Sequence, residues 1–426
     1  MKLMIHKMSL VGALLSLTLL AAQCAWPGRP AEPTPAAPVE LTYLSFLGDD
    51  SGSKAEQDLI DQFETIHPHI KIARNPYTRA PETYLRATPP PDLMVAIAEQ
   101  STFSAIEQGL VLEIEEVWAR SNLQDTYPAS FRALGEYAGK SYFLPVAHTW
   151  TAMYYPSQLF EEYDLTPPET WDELLAVCET LWFSGVTPIA LAGGDFWSVS
   201  MWFDYLNLRL NGPEFYTDLT QGEIPYDDPR VAAVFEAWAA LLEHGCFGDD
   251  TSFSSPLRGL DAIMKGEAAM MLASPVQMQD LPGPWLEQLA FFPFPSLDPT
   301  VPTAEVAPTF GYLIPAGTQH PAEATEFLAY LGSPEVQQGL AQELGPNLGV
   351  MPVHTGVDPA TFTPETREGW RLVREADAIS QPYIFAVPES MARAASGAFR
   401  QFLLNPEKVD EALNSLEKAR QETFGE

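Results

Sequence analysis

The chain has 426 residues, 46% hydrophobic and 19% charged, a composition that excludes a disordered or collagen-like polymer and provides for about two or three domains with cores of their own. Its 23 Lys and Arg stand against 57 Asp and Glu, a formal net charge of −34, so its surface repels nucleic acid, anionic lipid and polyanionic substrates. The acids are scattered, with short clusters only at Asp49-Asp50, Asp227-Asp228 and Asp249-Asp250, and most read as solvated faces.

In chain order, Lys2, His6 and Lys7 precede an uncharged, leucine-rich stretch from Met8 to Ala22. At about 15 residues it suits the h-region of a signal peptide and falls short of the ~20 needed to span a bilayer. Ala21-Ala22-Gln23-Cys24 is similar to a bacterial lipobox, with Ala21 in place of the usual Leu and Gln23 in place of Gly or Ala. The expectation is a signal peptide over 1–24 and a lipidated Cys24, with ordinary cleavage and secretion as the alternative. Residues 25–38, with Pro27, Pro30, Pro33, Pro35 and Pro38, read as a stiff spacer. No later stretch is apolar enough to span a bilayer, so the body is expected outside the cytoplasm, periplasmic or tethered to the outer face of the cell membrane through the lipid alone. Cys178 and Cys246 then remain; an oxidising compartment permits a disulfide between them, while two separately buried thiols is the plainer reading.

Val39 to Leu47 is β-rich and breaks at Gly48-Asp49-Asp50-Ser51-Gly52. Ser53 and Glu56 have capping-box spacing, and Leu59, Ile60, Phe63 and Ile66 share one helical face. Ile70 to Ala73 follows as a second strand, completing a strand–helix–strand unit of a parallel sheet. Asp92 to Ala96 reads as a strand buried on both faces, and Gly109 ends a short helix. Thr170-Trp171-Asp172-Glu173 is a second capping box, Pro188 to Ala192 a strand, and Asp228-Pro229 a cap with proline at the first helical position. Ala268 to Leu272 and Gly311 to Ile314 read as strands. Helices start at Pro321 and Pro334 and end at Gly332 and Gly345, and a helical tail starts near Pro364, Pro388 and Pro406. The fold class is α/β with a helical finish.

Several of these segments resemble the family 1 extracellular solute-binding proteins, the maltose-binding type that serves ABC importers. Pro91-Asp92-Leu93-Met94 is similar to the family's Pro-Asp-apolar-apolar strand, and Gln108 to Ile114 to its "SGLLAEI"-like turn. Tyr142 to Val146 is similar to its first interlobe crossing, Pro168 to Leu174 to its "P-x-T-W-x-E-L" signature, Lys265 to Met270 to its "G-x-A-A-M" strand entry, and Pro321 to Pro334 to a helical segment. Each is weak alone; in the right order from about Val39 to Thr423 they carry the resemblance. It implies a two-lobed type II periplasmic-binding-protein fold with three crossings, one lobe holding 39–146 and 308–350 and the other 150–302 and 352–426. It also implies hinge closure on a ligand, delivery to the permease subunits of an ABC importer, no cofactor and no catalysis. The stretch 75–90 is short for the helix the family places there, so that wall is expected to be reshaped.

A sugar needs donors and acceptors in the plane of its hydroxyls and aromatic platforms against its C–H faces. Candidates are Asp49, Asp50 and Ser51 after the first strand, Glu99 and Gln100 after the Pro-Asp strand, and His148 and Trp150 at the first crossing. Asp195, Phe196 and Trp197 follow Gly193-Gly194, and Phe310, Gly311 and Tyr312 follow the second crossing. Each has a structural reading too: Asp49, Asp50 and Asp195 as caps, the aromatics as core. Ala96 stands where the family often stacks a tryptophan, which favours a mono- or disaccharide. A monomer is expected. The alternatives are a cationic ligand such as a polyamine held by carboxylates and indoles, a secreted carbohydrate-active hydrolase, and the same fold with a degenerate cleft. For the hydrolase no convincing carboxylate pair, G-x-S-x-G or H-E-x-x-H is present. The histidines are dispersed, with His67 and His69 separated by Pro68, so no metal is expected.

Overall fold

The computed structural model describes residues 38–47, 50–120, 122–248, 255–278, 281 and 283–425. The signal segment, Cys24 and Asp49 lie outside the described residues, as do the side chains of Asp50 and Ser51.

β1 (Val39–Ser45) and β2 (Ile70–Pro76) run parallel, Val39 opposite Ile70, joined by the helix Asp50–Ile66. Leu59, Ile60 and Phe63 of that helix are buried, while Ile66 at its last position is 64% exposed, the apolar face ending one turn early. Glu56 does not close a capping box. Its carboxylate is buried and accepts hydrogen bonds from Ser45 Oγ at 2.8 Å and from Tyr43 Oη, and Arg74 Nε pairs with it at 2.5 Å. β3 (Leu93–Ile97) pairs parallel with β1 and is buried along nearly its whole length. A short hairpin of β4 (Glu136–Tyr137) and β5 (Lys140–Ser141) leads to β6 (Leu144–His148).

From β6 the chain passes through Thr149, Trp150 and Thr151 to β7 (Ala152–Pro156), the first member of a second sheet with β8 (Thr187–Ile189), β9 (Ala268–Ala273) and β10 (Leu289–Phe292). All six residues of β9 are buried, as its apolar run predicts. The chain returns through β11 (Ala304–Val306) to β12 (Thr309–Leu313), which inserts antiparallel between β3 and β6, and β13 (Met351–Pro352) adds at the far edge of β6. It leaves again, and β14 (Ala378–Ser380) pairs parallel with β11. The six-stranded sheet therefore has the order β13-β6-β12-β3-β1-β2, and the four-stranded sheet β10-β7-β9-β8.

Local signals place the helices around the second sheet. In the capping box before Trp171–Phe183, the Thr170 amide donates to Glu173 Oε2 at 3.0 Å and the Glu173 amide to Thr170 Oγ1 at 3.4 Å. Asp228 caps Pro229–Glu243. The helix that starts at Pro334 passes Gly345 and runs to Leu348, closing on Gly349 at a φ of 61°, so its expected stop falls one turn short. Phe203, Phe235 and Trp238 interlock with Phe399 and Phe402 of the helical tail, which consists of Pro364–Glu375, Glu389–Leu404 and Val409–Phe424. Cys178 and Cys246 form a disulfide with Cα atoms 4.9 Å apart, stapling Trp171–Phe183 to the turn after Pro229–Glu243. Among the described residues no helix is long and apolar enough to cross a membrane.

Candidate functional site

Where the chain passes between the sheets it rests on the helical segment Phe196–Thr220, which is broken at Gly212 (φ 81°). Arg209 on that helix is buried, and its guanidinium pairs with Glu305 of β11 at 2.5 Å, donates through Nε to Phe294 O at 3.2 Å, and donates through Nη1 to Ala304 O. Tyr205 Oη donates to the other Glu305 oxygen at 2.8 Å. Burial pushes the Glu305 carboxyl above its ordinary range, and the nearby guanidinium opposes that rise. A second buried acid, Asp204, accepts from the Tyr383 amide at 3.2 Å and lies 3.0 Å from Tyr216 Oη. Burial raises Asp204 to about 8, against the pull of those two hydrogen bonds. Gln381 joins this group to the returning strand. Its carbonyl accepts from the Thr309 amide at 3.1 Å, and its amide donates to Ala307 O at 3.0 Å. These bonds hold the segment Gln381 to Phe385 in place.

That segment forms part of one wall of a cleft of about 730 Å³. Its other wall is the start of the helix Gln100–Glu107, with Glu99 at the N-cap. The first wall contributes Phe196, Phe385, Glu389 and Arg393; the second contributes Glu82, Glu99, Gln100, Ser101 and Gln108. One Glu99 oxygen accepts from Ser101 Oγ at 2.6 Å. The cleft thus offers ring faces, carboxylates, amides and one guanidinium, the groups that bind a neutral polyhydroxyl ligand through its C–H faces and its hydroxyls.

The candidates named from sequence fall into distinct places. Glu99, Gln100 and Phe196 line the cleft together. Trp197 packs edge-on against Phe385, with ring centres 5.2 Å apart. Asp195 caps the helix Phe196–Thr220, one oxygen accepting from Ser198 N at 3.0 Å and Ser198 Oγ at 2.7 Å. Phe310, Gly311 and Tyr312 line a separate apolar compartment of about 210 Å³ together with Thr149. His148 and Trp150 line neither space, because side chains alternate along an extended strand and Thr149 takes the compartment side. The His148 ring packs on Phe131 at 4.9 Å, and burial lowers it to about 4. Trp150 is 1% exposed, pressed against Gly369, and borders a different cavity with Pro275 and Glu365. Phe385, Arg393 and Gln108 escaped the sequence reading; the only signal for Phe385 is a short stretch bracketed by Pro382 and Pro388.

Comparison with known proteins matches this architecture. Residues 49–338 match the family described as bacterial extracellular solute-binding protein. An uncharacterized ABC transporter extracellular-binding protein of Pyrococcus horikoshii is 25% identical over 350 residues, 77% of this chain and 76% of that protein. The chain superposes on the bacterial solute receptor AcbH, described as having an exclusive substrate preference for β-D-galactopyranose, with a TM-score of 0.81 at 23% identity, covering 90% of this chain and 99% of that one. It also superposes on a chitin oligosaccharide binding protein with a TM-score of 0.74 at 20% identity, covering 90% and 99%. The fold is the α/β periplasmic-binding-protein type found in non-catalytic solute-binding proteins. Among the described residues, no group of three or more His, Cys, Asp or Glu is arranged to hold a metal.

Proposed function

The chain belongs to the bacterial extracellular solute-binding protein family, and from that premise we propose that it captures a mono- or disaccharide and delivers it to the permease subunits of an ABC importer. In this reading residues 39–146 and 308–350 form one lobe, residues 150–302 and 352–426 the other, and the lobes close by a hinge through the strands that pass between the two sheets. Cys24 tethers the monomer to the outer face of the membrane by its lipid. The observation that carries the sugar assignment is the cleft of about 730 Å³ with Phe196 and Phe385 in one wall and Glu99 and Gln100 in the other. What the sugar-binding relatives are described as binding supports the same ligand class.

Glu82, Glu99 and Glu389 keep a cationic ligand as the second reading, with Arg393 in the same cleft working against it. Thermal-shift measurements against sugars, polyols, polyamines and peptides separate the two. A ligand that binds only the folded state adds ~2.7 kcal/mol of stability at about a hundred times its dissociation constant. A sugar or polyol is expected to raise the midpoint; a shift with spermidine and with no sugar overturns the assignment.

A further inference from the structure

The cleft has an apolar annex, and its chemistry narrows the ligand class on the premise that the cleft binds a sugar. Next to the polar cleft, sharing Glu82, Glu99 and Ser101 with it, lies a small pocket of about 60 Å³, the neck. Glu99 and Ser101 border both the cleft and the neck, while Phe46 and Val95 border both the neck and the apolar compartment. The three spaces therefore neighbour one another in turn, from carboxylate to hydrocarbon, with Phe46 standing between Tyr77 and Phe310 where the last two meet. At about 210 Å³ the compartment exceeds the apolar cavity of about 150 Å³ known to stay dry and admit benzene. Apart from Thr149 and Glu56, its described wall is aliphatic and aromatic. Glu56 is committed already to Arg74, Ser45 and Tyr43. Against this described wall, Thr149 apart, sugar hydroxyls would lose water without gaining partners.

Two wall residues are open rather than packed: Phe46 is 39% exposed and Val276 38%. Phe46 sits with its ring centre 6.1 Å from that of Phe310 and 6.3 Å from that of Tyr77. We propose that the ligand is an amphipathic glycoside, its sugar ring held in the polar cleft and an aryl or short alkyl aglycone seated between Phe46, Phe310, Val276 and Leu344.

The test is titration calorimetry on the full chain with three matched series: free glucose, galactose and xylose, their methyl β-glycosides, and their phenyl β-glycosides. For the sugar that binds, the phenyl glycoside is expected to bind about tenfold or more tighter than the methyl glycoside, the return on burying a phenyl ring. Val276→Phe, a change at a half-exposed position, should fill the annex and bring that ratio close to one. Leu344→Phe repeats the test from the opposite wall should Val276→Phe fail to fold. Phenyl and methyl glycosides binding within about twofold of each other, or a ratio unmoved by both substitutions, overturns the amphipathic ligand while leaving the sugar reading intact. If no free sugar or glycoside of any series binds, the sugar reading fails and takes this proposal with it.

Discussion

The strands that pass between the two sheets are held differently at their two ends. In the six-stranded sheet β12 is held by backbone: Phe310 pairs with Ala147 and, after a shift in register, Gly311 with Pro145, and the Thr149 amide donates to Pro308 O at 3.0 Å. The strands lie so close that a Cβ on Gly311 would stand 2.1 Å from the Leu144 carbonyl oxygen. At the other end side chains reinforce the backbone pairing of β11 with β14: Glu305 is held by Arg209 and Tyr205, and Thr309, where β12 begins, by Gln381. The first end should be indifferent to which side chains it carries and intolerant of added bulk. The second should tolerate a well-packed replacement of the whole charge pair and fail when one partner is removed.

The largest effect is expected at the backbone end. Gly311→Ala must push β12 off β6, since the clash is with a carbonyl oxygen rather than a flexible side chain. A loss of more than about 3 kcal/mol, or failure to fold, should appear in chemical denaturation. A variant with the parent's midpoint would show that the two strands are not that close. Next comes Arg209→Ala, which leaves Glu305, 1% exposed, buried without its cation. The expected cost is about 3–5 kcal/mol, and the double variant Arg209→Met with Glu305→Leu should recover most of it. Equal instability in the double variant would mean that the pair does more than neutralise itself. Gln381→Ala is smaller, about 1–3 kcal/mol, because it removes the acceptor of the Thr309 amide, while the Ala307 carbonyl keeps Thr309 Oγ1 at 2.8 Å. It should also weaken sugar binding several-fold in calorimetry by loosening the segment that carries Phe385. Lost stability with unchanged affinity would separate Gln381 from the cleft.

The same contrast explains what could be read without coordinates. Signals completed within a few residues were legible: the Thr170–Glu173 box, the Asp228-Pro229 start and the apolar run of β9. Glu56 looked like half of a capping box because its true partners, Tyr43, Ser45 and Arg74, come from two neighbouring strands. For His148 and Trp150 the alternation of a strand was plain, but which face meets the compartment depends on register with β12 and β13. The cleft was half visible. Glu99, Gln100 and Phe196 sit at ends of elements that announce themselves. Phe385 reaches it from the short helix Tyr383–Ala386 and Arg393 from Glu389–Leu404, and only packing across the chain brings them there. The Cys178–Cys246 bond, 68 residues apart in sequence, is of the same kind.

The smallest change at acid pH, and the finest test of the side-chain end, is Asp204→Asn. Tyr216 Oη lies 3.0 Å from Asp204 Oδ1 and 3.1 Å from Gln381 O, and it has one proton to give. A protonated Asp204 resolves this: it donates to Tyr216, and Tyr216 donates to Gln381. Burial, which raises the group from 3.8 to about 8, favours that state. The folded protein then keeps a proton that the unfolded chain releases near its ordinary value. Between those two values the folded state binds more protons, so this contribution to stability is complete below about pH 4 and is lost as pH rises through 8. The slope has an upper limit of about 1.4 kcal/mol per pH unit. Asparagine keeps the acceptor for the Tyr383 amide and supplies a permanent donor to Tyr216. Asp204→Asn should therefore match the parent near pH 4 and exceed it by a growing margin toward pH 8 when denaturation is followed at each pH. Because every other carboxylate is common to both proteins, the difference between the two curves isolates this one group. Parallel curves would mean that Asp204 is ionised in the fold, and the chain of hydrogen bonds from it to Gln381 would have to run the other way.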